Sequence, residues 1–289
     1  MHSRAPDFQG KILDWLDKHG YPLEMEVAAA FKKAGFTVAL SEPYADFESQ
    51  IQREIDVSAL RWSDMNQKAS LQLSVMVECK RSPGYPWIVF VSQAQPDWFP
   101  PFQVLTSSGA RIFLIDLLKQ EGVIKRLSPL YRFGGGYLGH GIVQALKDDQ
   151  STAHHAISAS VKAAVHRASS FDKAEIIRTM TKGRTLSCLA LPAIVVDGPL
   201  FECFLDKDMN VFLQAVEASA LLSKATPREA SSPIVRVVTR EGLVKLIDNL
   251  TETADVLTQL AVEFQELLHA SASNAYESVL RSAGPPYIG

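Results

Sequence analysis

Hydrophobic positions along the chain change their period several times, and each change marks an element. Between residues 8 and 18 the apolar Phe8, Ile12, Trp15 and Leu16 share one helical face, with Asp7 placed to cap the start and Gly20 to stop the turn. Pro22 opens a second helix over residues 23–34, whose stripe is Val27, Phe31 and Ala34 and whose stop is Gly35. The period then falls to two, so residues 36–40, 54–60 and 71–80 read as strands separated by polar or turn-rich sequence. Short apolar runs at 87–91 and 111–117 suit buried strands on either side of a Pro-rich loop. Residues 142–149, 153–169 and 172–181 follow the helical period, 189–196, 200–205 and 234–239 are strand-like, and helix returns from about 240 to 270. There is no internal repeat, and the mixed order implies sheet and helix in one α/β or α+β architecture.

Composition narrows the class without naming a function. At 289 residues, 47% hydrophobic and 21% charged, the chain can build one elaborated domain or two ordinary ones, and is neither disordered nor collagen-like. Cys79, Cys188 and Cys203 are an odd number without CxxC spacing, which indicates neither a disulfide framework nor a cysteine zinc site. No apolar stretch approaches the ~18 residues of a membrane span and the first residues lack the apolar core of a signal peptide, so no membrane partner and a cytoplasmic location are expected. The formal charge of -3 is unevenly spread: residues 151–184 carry 6 basic and 2 acidic side chains, while residues 185–289 carry 7 and 13.

Candidate chemistry lies in the first strands. In the third strand Leu71, Leu73, Val75, Val77 and Cys79 alternate with Gln72, Ser74, Met76, Glu78 and Lys80, so Glu78 and Lys80 project together at its C-terminal end. In the second, Asp56 falls on the polar side, between Ile55 and Val57, and a hairpin pairing would bring it within reach of the cation that Glu78 could hold. Glu24 precedes Val27 by three residues and Phe31 by seven, which puts it on the stripe that faces the sheet. Simple stabilisation of a helix N-terminus accounts for Glu24 equally well. Two or three carboxylates are what Mg²⁺ takes from a protein, its remaining shell being water and substrate phosphate, and Lys80 would add fixed positive charge. Arg53 and Glu54 are as well explained by pairing with each other or with the adjacent strand.

On these residues the chain resembles the PD-(D/E)xK nuclease superfamily, near its Mrr-like and resolvase-like branches. PLEMEVAAAFKKAGFTV is similar to the family's glutamate helix leading into the first strand, REIDVSAL to its aspartate strand and VMVECKRS to its E-x-K strand, with Ile55 where the motif's namesake proline would stand. The resemblance spans about residues 20–92. It implies a restriction-endonuclease-like mixed sheet flanked by helices, with a helical insertion at about 92–150 and a strand-helix extension over 201–289 following a nuclease-like domain at 1–200. It further implies Glu24, Asp56, Glu78 and Lys80 as catalytic residues, the three carboxylates as ligands of Mg²⁺ or substituting Mn²⁺, and nucleic acid, DNA ahead of RNA, as substrate in defence or repair. For the core's later helix and strand, residues 153–169 and 189–196 are chosen, with 111–117 as the rival strand. A binding module on the same scaffold that does not cut is the alternative.

Three further signals carry less. On the helix at 153–169, His155, Ser158, Lys162 and His166 form a polar stripe; with Arg167, Lys173, Arg178, Lys182 and Arg184 near, it is either a phosphate-binding surface or solvated helix. GGGYLG at 134–139 matches G-x-G-x-x-G but lacks the preceding strand and the following acid of a dinucleotide site. Finally, Leu243, Ile247, Leu250, Ala254, Leu257, Ala261, Phe264 and Leu268 are spaced alternately four and three apart, a seam that would either pack on its own domain or join two copies in a homodimer through the 243–268 helix.

Overall fold

A computed structural model describes residues 8–92, 104–131, 137–147, 151–173, 177, 184–223 and 232–283. Helices α1 (Phe8–Lys18) and α2 (Tyr21–Lys33) precede strands β1 (Thr37–Ala45), β2 (Gln52–Trp62), β3 (Ala69–Arg81) and β4 (Trp87–Ser92). Then come β5 (Leu105–Thr106), α3 (Ser108–Leu117), α4 (Val123–Arg126), a 3-10 turn (Ser128–Tyr131), β6 (Leu138–Gln144) and α5 (Ser151–Ser170). The chain continues through β7 (Thr185–Asp197), β8 (Leu200–Leu205), β9 (Val211–Ala215), β10 (Ala218–Leu222) and β11 (Ile234–Thr239) to α6 (Leu243–Glu263) and α7 (Gln265–Ala283). The fold is α/β.

All the strands belong to one mixed sheet, ordered β1-β2-β3-β7-β11-β10-β6-β4-β8-β9, with β5 on the free part of β7. β1, β2 and β3 form an antiparallel meander, and β3 then runs parallel to β7 from Ala69 opposite Thr185 to Arg81 opposite Asp197. Strands β8 to β11 join the same sheet as β1 to β3, so the region expected as an extension shares its core.

The two faces are covered by different helices. Leu23, Val27 and Phe31 of α2, Phe113, Leu114 and Leu117 of α3, and Leu250, Leu257 and Leu260 of α6 pack with Val57, Leu73, Val75, Val77, Leu191 and Val195 on the first face. On the second face α5 lies across the sheet, the one long helix there among the described residues, and its small residues Ala153, Ala156, Ala163, Ala164 and Ala168 let it approach closely. Because both faces are covered, β3 is buried along its whole length up to Cys79, including its polar set. Part of that set is satisfied within the layer: Ser74 Oγ and Arg167 Nε both donate to Gln72 Oε1, at 2.7 and 3.0 Å.

The pattern misleads in three places. Residues 111–117 are helix, not the rival strand: Ser107 caps α3 by accepting the Ala110 N–H, and Gly109 sits so close to α7 that a Cβ there would lie 2.9 Å from the Ala272 Cα. Residues 142–144 end strand β6 where helix was expected, and Gly139 within β6 meets Val89 and Leu221, so this glycine serves strand packing rather than a phosphate loop. The helix expected at 172–181 lies almost entirely outside the described residues. The C-terminal helix is two: it breaks at Phe264, where the Gln265 side chain accepts the Ala69 N–H and donates to the Ala69 carbonyl, gripping the start of β3 as a strand would.

That break bears on the seam. Leu243, Ile247, Leu250, Ala254, Leu257, Ala261 and Leu268 are buried against the first face of the sheet and Phe264 is partly buried there, so of the two readings of the 243–268 seam the structure shows packing on its own domain and not a homodimer surface. Leu250→Ala should therefore cost about 2–5 kcal/mol of stability, read as a lowered urea midpoint, with no change in oligomeric state.

Candidate active site

The carboxylates meet where β2 parts from β3. Paired residues run from Trp62 opposite Gln72 to Val57 opposite Val77 and stop there. One residue on, the Asp56 carboxylate takes over the role of the strand, its Oδ2 accepting the Cys79 N–H at 2.7 Å. The β1–β2 pairing skips the same point: Leu40 faces Val57 and Glu42 faces Ile55, while Ser41 between them adopts a left-handed φ of 49°. The meander turns over here. Val57 packs on the first face but Ile55 packs on the second with Tyr44 and Met76, so the simple alternation expected for Ile55, Val57 and Ala59 holds only from Val57 onward.

Glu78 is buried, and its Oε1 accepts a 2.6 Å charged bond from Lys80 Nζ. Its other oxygen, Oε2, is buried with no partner in hydrogen-bond range. Glu24, half-buried in the first turn of α2, lies in the electrostatic field of both Asp56 and Lys80. The four residues expected from the sequence thus belong to one electrostatic cluster.

The balance of charge in that cluster is uneven. Burial, and then the nearby Asp56, push Glu78 up to about 7, against the pull of Lys80. Burial and Asp56 likewise raise Glu24 to about 6, and burial raises Asp56 despite the Cys79 N–H and Lys80. Lys80 moves up as well, because Glu78 and Asp56 outweigh its own burial, which keeps the ammonium charged. Three carboxylates and one ammonium leave negative charge uncompensated, together with one orphaned oxygen.

A hard divalent cation relieves both deficits, and a donor set of carboxylates matches the oxygen preference of Mg²⁺ or Mn²⁺. The fit is one of chemistry and not of geometry: among the described residues no three His, Cys, Asp or Glu side chains are placed together so as to hold a metal ion.

Tyr44 was missed by pattern reasoning. It is buried near these acids, its hydroxyl has no partner, and burial followed by the field of Glu78 pushes it up to about 12. The sequence signal was the length of the first strand: ended at Leu40 it leaves Tyr44 in a loop, whereas β1 continues to Ala45.

The expected phosphate surface fares differently. Lys162 Nζ lies 3.0 Å from Asp46 Oδ2 and 2.5 Å from Glu48, and Arg167 reaches Glu42 Oε1 at 3.2 Å as well as Gln72. Both cations are engaged by the β1–β2 hairpin and hold it on α5. His166 is partly buried and shifted down by that burial and by Lys173, which disfavours a cationic ring, while His155 is exposed at the other end of the helix. Arg178 and Lys182 lie outside the described residues. Arg53 pairs with Asp46 rather than with Glu54, and Glu26, on the outer side of α2, pairs with Arg240.

Comparison of the chain with protein-family models, with curated proteins and with solved structures gave no match.

Two measurements follow from this charge balance. Asp56 and Glu78 hold protons in the folded state at pH values where the unfolded chain has released them, so the metal-free protein loses stability as pH rises from the ordinary carboxylate range through about 7. Asp56→Asn can keep the bond from the Cys79 N–H while removing the charge; in chelator-treated urea melts it should be the more stable form by about 1 kcal/mol near pH ~8, with the gap shrinking as pH falls. Lys162→Ala combined with Arg167→Ala leaves Asp46 and Glu42 without these partners and should cost about 2–4 kcal/mol, while leaving the salt slope of any nucleic-acid binding nearly unchanged.

Proposed function

We propose that the chain is a metal-dependent nuclease that hydrolyses phosphodiester bonds of nucleic acid on a restriction-endonuclease-like scaffold. The observation that carries this reading is the cluster at the end of β3: Asp56, Glu78 and Lys80 together where β2 lets go, with a buried carboxylate oxygen left without a partner. The order of elements adds support, since α2, the meander β1–β2–β3, and β7 laid parallel to β3 after α5 follow the plan that the PD-(D/E)xK resemblance implies.

Asp56 and Glu78 are the residues that would hold Mg²⁺ or Mn²⁺, with Glu24 completing the set from α2. When bound, such an ion supplies the charge that polarises a phosphodiester and acidifies water. The chain's own contribution is placement. The Cys79 N–H fixes the Asp56 carboxylate against β3, and the pairing of β3 with β7 through Arg81 fixes the backbone that carries Glu78 and Lys80. Lys80, kept protonated by its acidic neighbours, sets a permanent positive charge where negative charge grows on the phosphate in the transition state. DNA ahead of RNA, and a role in defence or repair, belong to the resemblance and come with it.

The test is direct. Purified protein incubated with single- and double-stranded DNA and RNA, with Mg²⁺, Mn²⁺ or EDTA, should cleave at least one substrate in a metal-dependent way. Asp56→Ala, Glu78→Ala and Lys80→Ala should each lower the rate by about 10²–10³-fold or more with the circular dichroism spectrum preserved. Glu24→Ala should lower it by about 10-fold, because water can replace a helix-borne ligand. Full activity in Lys80→Ala or Asp56→Ala overturns the reading, and metal-independent binding without cutting replaces it with the non-cleaving module.

A further inference from the structure

The sheet has two outer strands, and they are built differently. β1 carries the devices that keep an edge from pairing: Pro43, which has no N–H to donate, the left-handed kink at Ser41, and the charged Glu42. β9 carries none of them. Its sequence is VFLQA, with no charge, no proline and no bulge in its pairing with β8, and all five residues are exposed. Among the described residues no strand pairs with its outer side.

Both faces of this edge are apolar. Leu205 opposite Val211 and Cys203 opposite Leu213 lie on one face, and Phe204 opposite Phe212, with ring centroids 5.2 Å apart, lies on the other. A groove of about 500 Å³ lined by Phe90, His140, Cys203, Leu205 and Val211 opens beside the first set. Leu205, Met209, Val211, Phe212 and Leu213 are 46%, 72%, 72%, 49% and 51% exposed.

We propose that β9 is a pairing edge through which two copies of the chain join their sheets antiparallel about a two-fold axis. An unpaired strand edge demands backbone donors and acceptors at strand spacing, which only another strand supplies along its whole length. An antiparallel match of a strand with itself is self-complementary by symmetry, and VFLQA sets no like charges against each other across the axis. Directly opposed residues share a face, so the Val211–Leu213 stripe continues into that of the second copy and Phe212 approaches its counterpart on the other face. Complete burial of the five exposed side chains, at about 100 Å² each in both copies, sets an upper bound on the order of 1,000 Å², the threshold that a specific interface must reach.

Assembly of this kind is independent of the nuclease reading. β3 and β9 are seven strand steps apart, so paired copies would hold their site clusters roughly 70 Å from one another, and each site would work alone.

Sedimentation velocity from dilute to tens of micromolar protein, with amide hydrogen exchange at the same concentrations, tests the proposal on the wild type and on Val211→Lys combined with Leu213→Lys. Both positions are exposed in the monomer, so the variant keeps its fold while placing like charges across the axis. The expected result is a wild-type dimer, protection of amides 211–215 that grows with concentration, and a dissociation constant raised about 100-fold or more in the variant, with unchanged cleavage per chain. A wild type that stays monomeric, a dimer that survives both lysines, protection confined to another segment, or open-ended association in place of a closed dimer overturns it. Loss of cleavage on all substrates in a protein that still dimerises speaks only against the nuclease.

Discussion

β3 and β7 lie parallel for thirteen residues each, and the rest of the molecule is arranged around that contact. Parallel strands cannot be joined by a tight turn, so the chain between them must leave the sheet and return, and α5 is the helix that brings it back across the second face. A strand covered on both faces reads as a continuous apolar run, which is what TLSCLALPAIVVD is. The ladder also decides where chemistry can occur. β7 holds β3 as far as Arg81 whereas β2 releases it after Val77, so Glu78 and Lys80 stand on a backbone fixed from one side and open on the other. Asp56 fills part of that opening with its own side chain, bonding the Cys79 N–H. Rigid support and open space rarely coincide in a sheet, and here they coincide at the carboxylates.

Two charged clusters flank the meander, and their difference is instructive. At the hairpin, Asp46, Glu48 and Glu42 pair with Arg53, Lys162 and Arg167, although Glu42 Oε2 is itself buried without a partner. Asp46 is held well below the usual carboxylate range, its burial being outweighed by the Glu48 N–H, Lys162 and Ser49. Such a group is content as an anion, and removing its partners damages the fold. At the end of β3 three acids face one lysine, and both glutamates are pushed upward, first by burial and then by Asp56. Such an imbalance costs stability in the metal-free protein, and it is the imbalance that the proposed cation would offset. Residue type alone did not separate the two clusters: Lys162 and Arg167 looked as available to phosphate as Lys80 until their partners were seen.

Legibility followed the physics of each segment. Glu78 and Lys80 could be paired in advance because the sequence of β3 alternates and a period of two fixes which residues share a face, while Asp56 and Glu24 were joined to them by the family resemblance. Ser41 could not be foreseen as the point where the meander turns over, since a left-handed serine leaves no mark in the pattern of polar and apolar residues. RIFLIDL at 111–117 is a short apolar run, and burial on all sides erases the periodicity that would tell helix from strand. β9 and β10 were passed over because one is wholly exposed and apolar and the other nearly wholly buried, so neither alternates. The break at Phe264 has no glycine or proline to announce it; it is set by Gln265 reaching Ala69, a contact 196 residues away in sequence.

The seam at 243–268 shows how the width of the sheet decides between two readings of one spacing. A spacing of three and four is required of any helix laid on a flat surface, and it points to a partner helix only if the surface at home is too small. With β6, β9 and β10 uncounted the sheet seemed small. It is ten strands across, on the order of 45 Å, which exceeds the ~32 Å length of α6, whose seam is buried on it. The same width has a second effect. A sheet this wide that does not close into a barrel must end in two edges, and the sequence resolves them unequally, blunting β1 with Pro43 and Glu42 and leaving β9 bare. Burying the seam therefore shifts the question of a partner from a helix face to a strand edge, where the groups left unmatched belong to the backbone.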